Sequence, residues 1–101
     1  MQRMASVNMT DASTGGRKPR ASSKERQMEA AMAAARALFG ANFRDARMAR
    51  ELTQREVFEA TGVDIATISR IERGDWSPNL NTIAKLAAAV GSSLMDLFRP
   101  R

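Results

Sequence analysis

The sequence predicts an all-α protein, on three observations. Apolar residues recur at helical spacing within residues 24–50 and again within residues 80–90. Residues that cap helices stand in front of each periodic run, and Gly or Pro follows. No run carries a strand signal. Four or five short helices are expected, and no internal repeat is present.

Residues 1–23 read as a disordered basic tail. They hold Ser, Thr, Gly, Asn and basic residues with no apolar period, and Gly15-Gly16 and Pro19 would break a helix. The chain has 16 basic and 11 acidic residues, a net charge of +5 and a pI near 11.0. Residues 1–37 hold seven basic against three acidic residues, and residues 38–101 hold nine against eight, so most of the excess sits in the N-terminal part. Such a balance favours a polyanionic partner, nucleic acid or an anionic membrane.

Residues 24–37 read as a helical extension. Ser23 is placed to cap it, but Arg26 stands three residues on, so the capping box is incomplete; Glu25 suits the first turn. The run QMEAAMAAARALF is dense in helix formers, and Met28, Met32, Ala35 and Phe39 fall on one face. Gly40 costs about 1 kcal/mol relative to Ala in a helix. The pattern resumes through Asn42, Phe43, Ala46, Arg47 and Arg50. The expectation is one helix over about 24–50 with a soft point at Gly40, or two helices meeting there.

Residues 53–73 read as two short helices around a turn: Gln54–Ala60, then Thr61-Gly62-Val63, then Asp64–Arg73. Thr53 caps the first, and Glu56 at the third helical position completes a capping box. Gly62 stands where a helix ends in the left-handed conformation, which glycine adopts without a steric cost. Asp64 is an N-cap for the second helix. Val57, Val63, Ile68 and Ile71 share an apolar seam. Helices this short do not stand alone, so neighbours must cover that seam. Ile65, Ala66, Ser69 and Arg70 then face outward, a small and partly basic surface suited to reading DNA.

Residues 74–79, Gly-Asp-Trp-Ser-Pro-Asn, form a loop rich in turn signals, over which Trp76 is expected to pack. Ser77 or Asn79 opens the next helix, with Leu80, Ile83, Leu86, Ala87 and Val90 as its buried stripe. Gly91 ends it. Ser92 or Ser93 caps a last helix with Leu94, Leu97 and Phe98 as its apolar face, and Pro100 stops it.

Composition removes several functions. The chain has no Cys and no His. That excludes thiolate chemistry and the commonest general base and metal ligand, and no carboxylates pair in an obvious cleft. No catalytic residue, metal or cofactor is expected, and an enzyme is not. No apolar run approaches the roughly 18 residues of a membrane span, and the N-terminus lacks the apolar core of a signal peptide. The Ala-rich helix is too weakly apolar for a membrane surface. A cytoplasmic protein is expected.

The runs F-G-A-N-F-R-D-A-R, L-T-Q-R-E-V, T-G-V-D-I-A-T-I-S-R-I-E-R-G, P-N-L-N-T-I-A-K-L-A-A-A-V-G and S-L-M-D-L-F stand in this order between residue 39 and residue 98. In this register the chain resembles the Xre-like, phage-repressor type of helix-turn-helix domain. The resemblance implies a five-helix DNA-binding domain over residues 38–99, with the extension and the tail outside it. Its third helix would lie in the major groove. Ile65, Ala66, Ser69 and Arg70 would face the base edges. Gln54, Arg73, Ser77 and Asn79 would meet phosphates. Arg47 and Glu72 match a structural ion pair joining helix 1 to helix 3. The chain departs from the family at Phe58, where a small residue is usual, and at Ala46, where a larger one is; a volume swap between them is the expectation.

The resemblance implies a transcriptional repressor or autoregulator that binds a pseudo-palindromic operator in double-stranded DNA as a homodimer. Arg70 can bridge guanine O6 and N7, and Ile65 and Ala66 can touch a thymine methyl. Arg17, Lys18 and Arg20 look like a minor-groove arm, with a solubilising tail as the alternative. Residues 24–39 offer a surface for a second copy or a partner protein, or fold back as core. The alternative function is an antitoxin or anti-regulator that binds a partner protein as well as its own promoter.

Overall fold

A 27-residue helix, α1 (Ser23–Ala49), packs directly against two of the four shorter helices that follow it, the second and the fourth, and the other two pack on those. The computed structural model describes residues 22–101, so Arg17, Lys18 and Arg20 and the tail that holds them lie outside the described residues. The shorter helices are α2 (Gln54–Thr61), α3 (Ile65–Glu72), α4 (Leu80–Ala89) and α5 (Leu94–Leu97). The described residues are all-α, as the sequence predicts.

The local starts follow the caps. Thr53 and Glu56 exchange hydrogen bonds of 2.8 and 3.0 Å, a complete capping box for α2. Asp64, Asn79 and Ser93 each accept from the backbone N–H three residues on. Asn79, rather than Ser77, therefore opens α4, and Ser93, rather than Ser92, opens α5. The cap of α1 differs from expectation. Ser22 holds that position, Glu25 returns to its N–H at 2.7 Å, and the box is complete. The stops are equally local: Gly62 ends α2 at φ 79°, and Glu51 turns the chain out of α1 at φ 57°.

α1 runs through Gly40 without a break, which settles the choice between one helix and two. The glycine serves a close helix crossing. A Cβ at residue 40 would land on the carbonyl oxygen of Ile71 and crowd the backbone of Glu72. Gly40 thus lets α1 and α3 approach, at the expense of helix propensity.

Phe39, Phe43, Val57, Ile68, Ile71, Leu86, Ala87, Val90 and Leu97 form the core. Ala46, Leu52, Phe58, Val63 and Ile83 pack at its margin, so Phe58 and Ala46 both border the core where the volume swap would act. α3 packs on α1 and α2, while α4 bridges α2 and α5. Asn42, on the inner side of α1, donates from its amide to the carbonyls of Leu97 and Arg99 at 3.0 and 2.9 Å. These end carbonyls lack helical partners, so one side chain anchors α5 to α1.

Three apolar residues depart from the expected stripes. Leu80 is 69% exposed, because it is the first residue of α4 and projects past the body. Leu94, first in α5, is exposed for the same reason. Phe98 lies against Phe39, with ring centroids 5.2 Å apart, yet keeps one face open.

Gly40→Ala tests the crossing. Propensity alone would stabilise the helix by about 1 kcal/mol. The blocked approach to α3 should instead destabilise by about 1–3 kcal/mol, the usual range for overpacking, and lower the melting midpoint by several degrees in a calorimetric scan. A raised midpoint would show that the crossing can relax.

Candidate nucleic-acid interface

The orientation of α3 is decided at its inner end. Glu72 accepts from Arg47 Nε at 2.6 Å and Nη2 at 3.0 Å, and from Gln54 Nε2 at 3.1 Å. Arg47 Nη1 also donates to the carbonyl of Leu52 at 2.8 Å. The Glu72 and Arg47 side chains are only 5% and 12% exposed. A bidentate Arg–carboxylate pair has a fixed geometry, and Gln54 supplies a further donor to the same carboxylate. One carboxylate on α3 thus joins α1, the start of α2 and the link between them.

With Ile68, Ile71 and Glu72 turned inward, the other side of α3 faces solvent. Ala66, Arg70 and Arg73 are exposed there, and Ile65 and Ser69 are half-buried beside them. Asp64 opens the helix. Its carboxyl is held below the usual carboxylate value, first by the Thr67 N–H and then by the Thr67 hydroxyl. Its contacts are those of a cap.

The outer row is cross-linked. Arg73 Nη1 donates to the Ser69 hydroxyl at 2.6 Å, and Arg73 Nε reaches Asp75 Oδ2 at 3.3 Å. The Arg70 guanidinium lies over the Trp76 ring, 4.6 Å from its centroid. Trp76 is 42% exposed and comes from the loop after α3. That loop is held by Gly74 at φ 78° and by the Asp75 N–H donating to the Arg70 carbonyl at 2.9 Å. A cation stacked on indole keeps its charge while losing much of its freedom of swing.

The predicted residues fall into two groups. Ile65, Ala66, Ser69, Arg70 and Arg73 share the outer side of α3, with exposed Ser77 and Asn79 on the adjoining loop. The Asn79 side chain is engaged in capping α4, so what it offers outward is the helix terminus. Gln54 is turned toward Glu72; its amide nitrogen keeps a second N–H. Arg47 and Glu72 pair as expected, in the interior.

Two contributors were not expected. Trp76 is the support of Arg70, as well as a loop-packing residue. Arg36, on α1, donates to the Gly74 carbonyl at 3.4 Å and lines an open hollow of about 600 Å³ beside Arg70, Asp75 and Trp76. Its place follows only from the path of α1 past that loop. Among the described residues no group of His, Cys, Asp and Glu could hold a metal ion, and no helix is long and apolar enough to cross a membrane.

α2, the left-handed turn at Gly62 and a solvent-facing α3 held from behind by a buried ion pair make a helix-turn-helix arrangement. The family model described as "Helix-turn-helix" matches residues 43–97. The chain belongs to that family of DNA-binding transcriptional regulators, whose members named below are regulators and not enzymes. The HTH-type transcriptional regulator y4dJ of Sinorhizobium fredii is 38% identical over 65 residues, which is 64% of this chain and 84% of that protein. The cryptic phage CTXphi transcriptional repressor RstR of Vibrio cholerae is 38% identical over 60 residues, 59% of this chain and 54% of its own length. The crystal structure of the restriction-modification controller protein C.AhdI from Aeromonas hydrophila superposes with a TM-score of 0.61 at 32% identity, covering 64% of this chain and 98% of that one.

The interior pair can be tested separately from the outer face. Glu72→Ala leaves Arg47 without its carboxylate and should cost about 3–5 kcal/mol in urea denaturation. Replacing both partners with apolar residues of similar volume should recover much of that loss. A single substitution costing less than about 1 kcal/mol would mean that the pair behaves like a surface ion pair.

Proposed function

We propose that this protein is a sequence-specific transcriptional repressor or autoregulator that acts as a homodimer on a pseudo-palindromic operator. It lays α3 in the major groove, and half-sites about one helical turn apart, roughly 34 Å, bring two copies to one side of the DNA. The observation that carries the reading is the outer row of α3, with Arg70 stacked on Trp76.

Each residue has a role in this reading. Arg70 takes guanine O6 and N7. Ile65 and Ala66 read a thymine methyl by contact, and Ser69 discriminates weakly. Arg73, Ser77 and the terminus of α4 at Asn79 meet phosphates, as does Gln54 with the amide hydrogen that Glu72 leaves. One arginine and two apolar contacts make a thin direct code, so DNA shape supplies part of the specificity. Arg17, Lys18 and Arg20 would add a minor-groove arm. The protein would act in the cytoplasm, at the nucleoid. The half-exposed Met28 and Met32 favour a protein contact in addition, with a second copy or with a partner as in an antitoxin or anti-regulator.

Binding of operator and random DNA to two variants tests the reading. Arg70→Ala should lower operator affinity about 10- to 100-fold, as expected for a base-reading arginine, with a much smaller loss on random DNA. Trp76→Ala should reproduce part of that selective loss, about 3- to 30-fold, by releasing Arg70. Equal losses on both DNAs would place Arg70 among the phosphate contacts.

A further inference from the structure

The apolar stripe of α1 has two fates. At Phe39 and Phe43 it is buried in the chain's own body. At Met28 and Met32 it runs on into solvent, with both side chains about half exposed. Where the two parts meet lies an apolar groove of about 190 Å³, walled by Met32, Ala35 and Phe39 on α1 and by Pro78, Ile83 and Phe98 opposite. The stripe residues are spaced four, three and four apart, the repeat that lets two helices interlock along a seam.

Charge selects the occupant. Glu29 and Arg36 are seven residues apart and flank the stripe on one side. In an antiparallel pair of α1 helices, with the two-fold axis between Met32 and Ala33, Glu29 lies level with the partner's Arg36. The symmetry makes that contact twice. Arg36 lines the groove, holds the Gly74 carbonyl by one weak bond of 3.4 Å, and has further N–H groups to give. Met28 lies level with the partner's Ala37, beside the partner's groove. A parallel pair would set the two bodies side by side at one level, whereas the antiparallel pair sets them at opposite ends.

We propose that a second copy of this chain fills the groove: the α1 helices pair antiparallel, each inserting Met28 and Met32 beside the other's Phe39 and Phe98, with two Glu29–Arg36 ion pairs along the flank. This rests on the homodimer reading above and specifies how the dimer is built. The extension is then the dimerisation element.

The chain has no cysteine, so single cysteines report the pairing in the full-length protein. Met32→Cys lies beside the axis and should form an intermolecular disulfide on mild oxidation. Met28→Cys should not, since it stands nine residues along the pair from its twin's level, about 13 Å, beyond disulfide reach. In sedimentation equilibrium, Glu29→Arg and Arg36→Glu should each loosen the dimer about ten-fold, and the double reversal should restore it. Cross-linking at both positions, or singles that the double variant does not rescue, would overturn the antiparallel pair. A dimer that cross-links at neither position and ignores both reversals would refute the α1 interface while leaving the homodimer in place. A chain that stays monomeric at high concentration, and on DNA, would refute both.

Discussion

The buried contact between Arg47 and Glu72 is the constraint on which the rest of the structure depends. α3 has eight residues and could not hold a helical conformation or a fixed rotation alone. Its inner side is Ile68, Ile71 and Glu72. The apolar pair supplies burial, and the carboxylate supplies direction, because a nearly buried charge is tolerable only where its partners sit. Arg47 approaches from α1 and Gln54 from the start of α2. Gly40 lets the backbones close up enough for this to happen. The outer row of α3 faces solvent because its inner side is fully committed.

The functional surface inherits that rigidity and adds its own. Ser69 is tied to Arg73, and Arg70 is tied to Trp76. The cross-links limit the side-chain entropy lost when a partner is met, which matters for a surface with few donors. They also link the loop after α3 to the outer row of that helix. Loop residues 74–79 connect two helices, carry the aromatic support and form one side of the hollow that Arg36 lines.

Much of the architecture was legible in the sequence, for a physical reason. Caps at Thr53, Asp64, Asn79 and Ser93 act over three residues, and the left-handed turn at Gly62 is a property of one residue. The outward residues of α3 follow from the apolar seam opposite them, whereas the Arg47–Glu72 pair comes from register with a family rather than from spacing. What escaped is tertiary. Gly40 looks like a weak point in a helix and is a point of closest approach. Leu80 and Leu94 keep the period of a buried stripe but stand one turn too early to reach the core. Asn42 sits in a helical stripe among apolar residues and is there to hold the end carbonyls of α5. Trp76 could be placed over a loop, but which cation it supports depends on how that loop folds back beside α3. The cap of α1 lies at Ser22, one residue before the expected Ser23, because only Ser22 stands three before Glu25.

The outer row of α3 is proposed to read base edges in the major groove. Guanine N7 lies in that groove, so methylation protection on the DNA upstream of the protein's own gene tests it most directly. Protected guanines are expected in two symmetric clusters about one helical turn apart on one side of the duplex. A footprint with every guanine N7 still reactive, and protection confined to the minor groove or the phosphates, would contradict it.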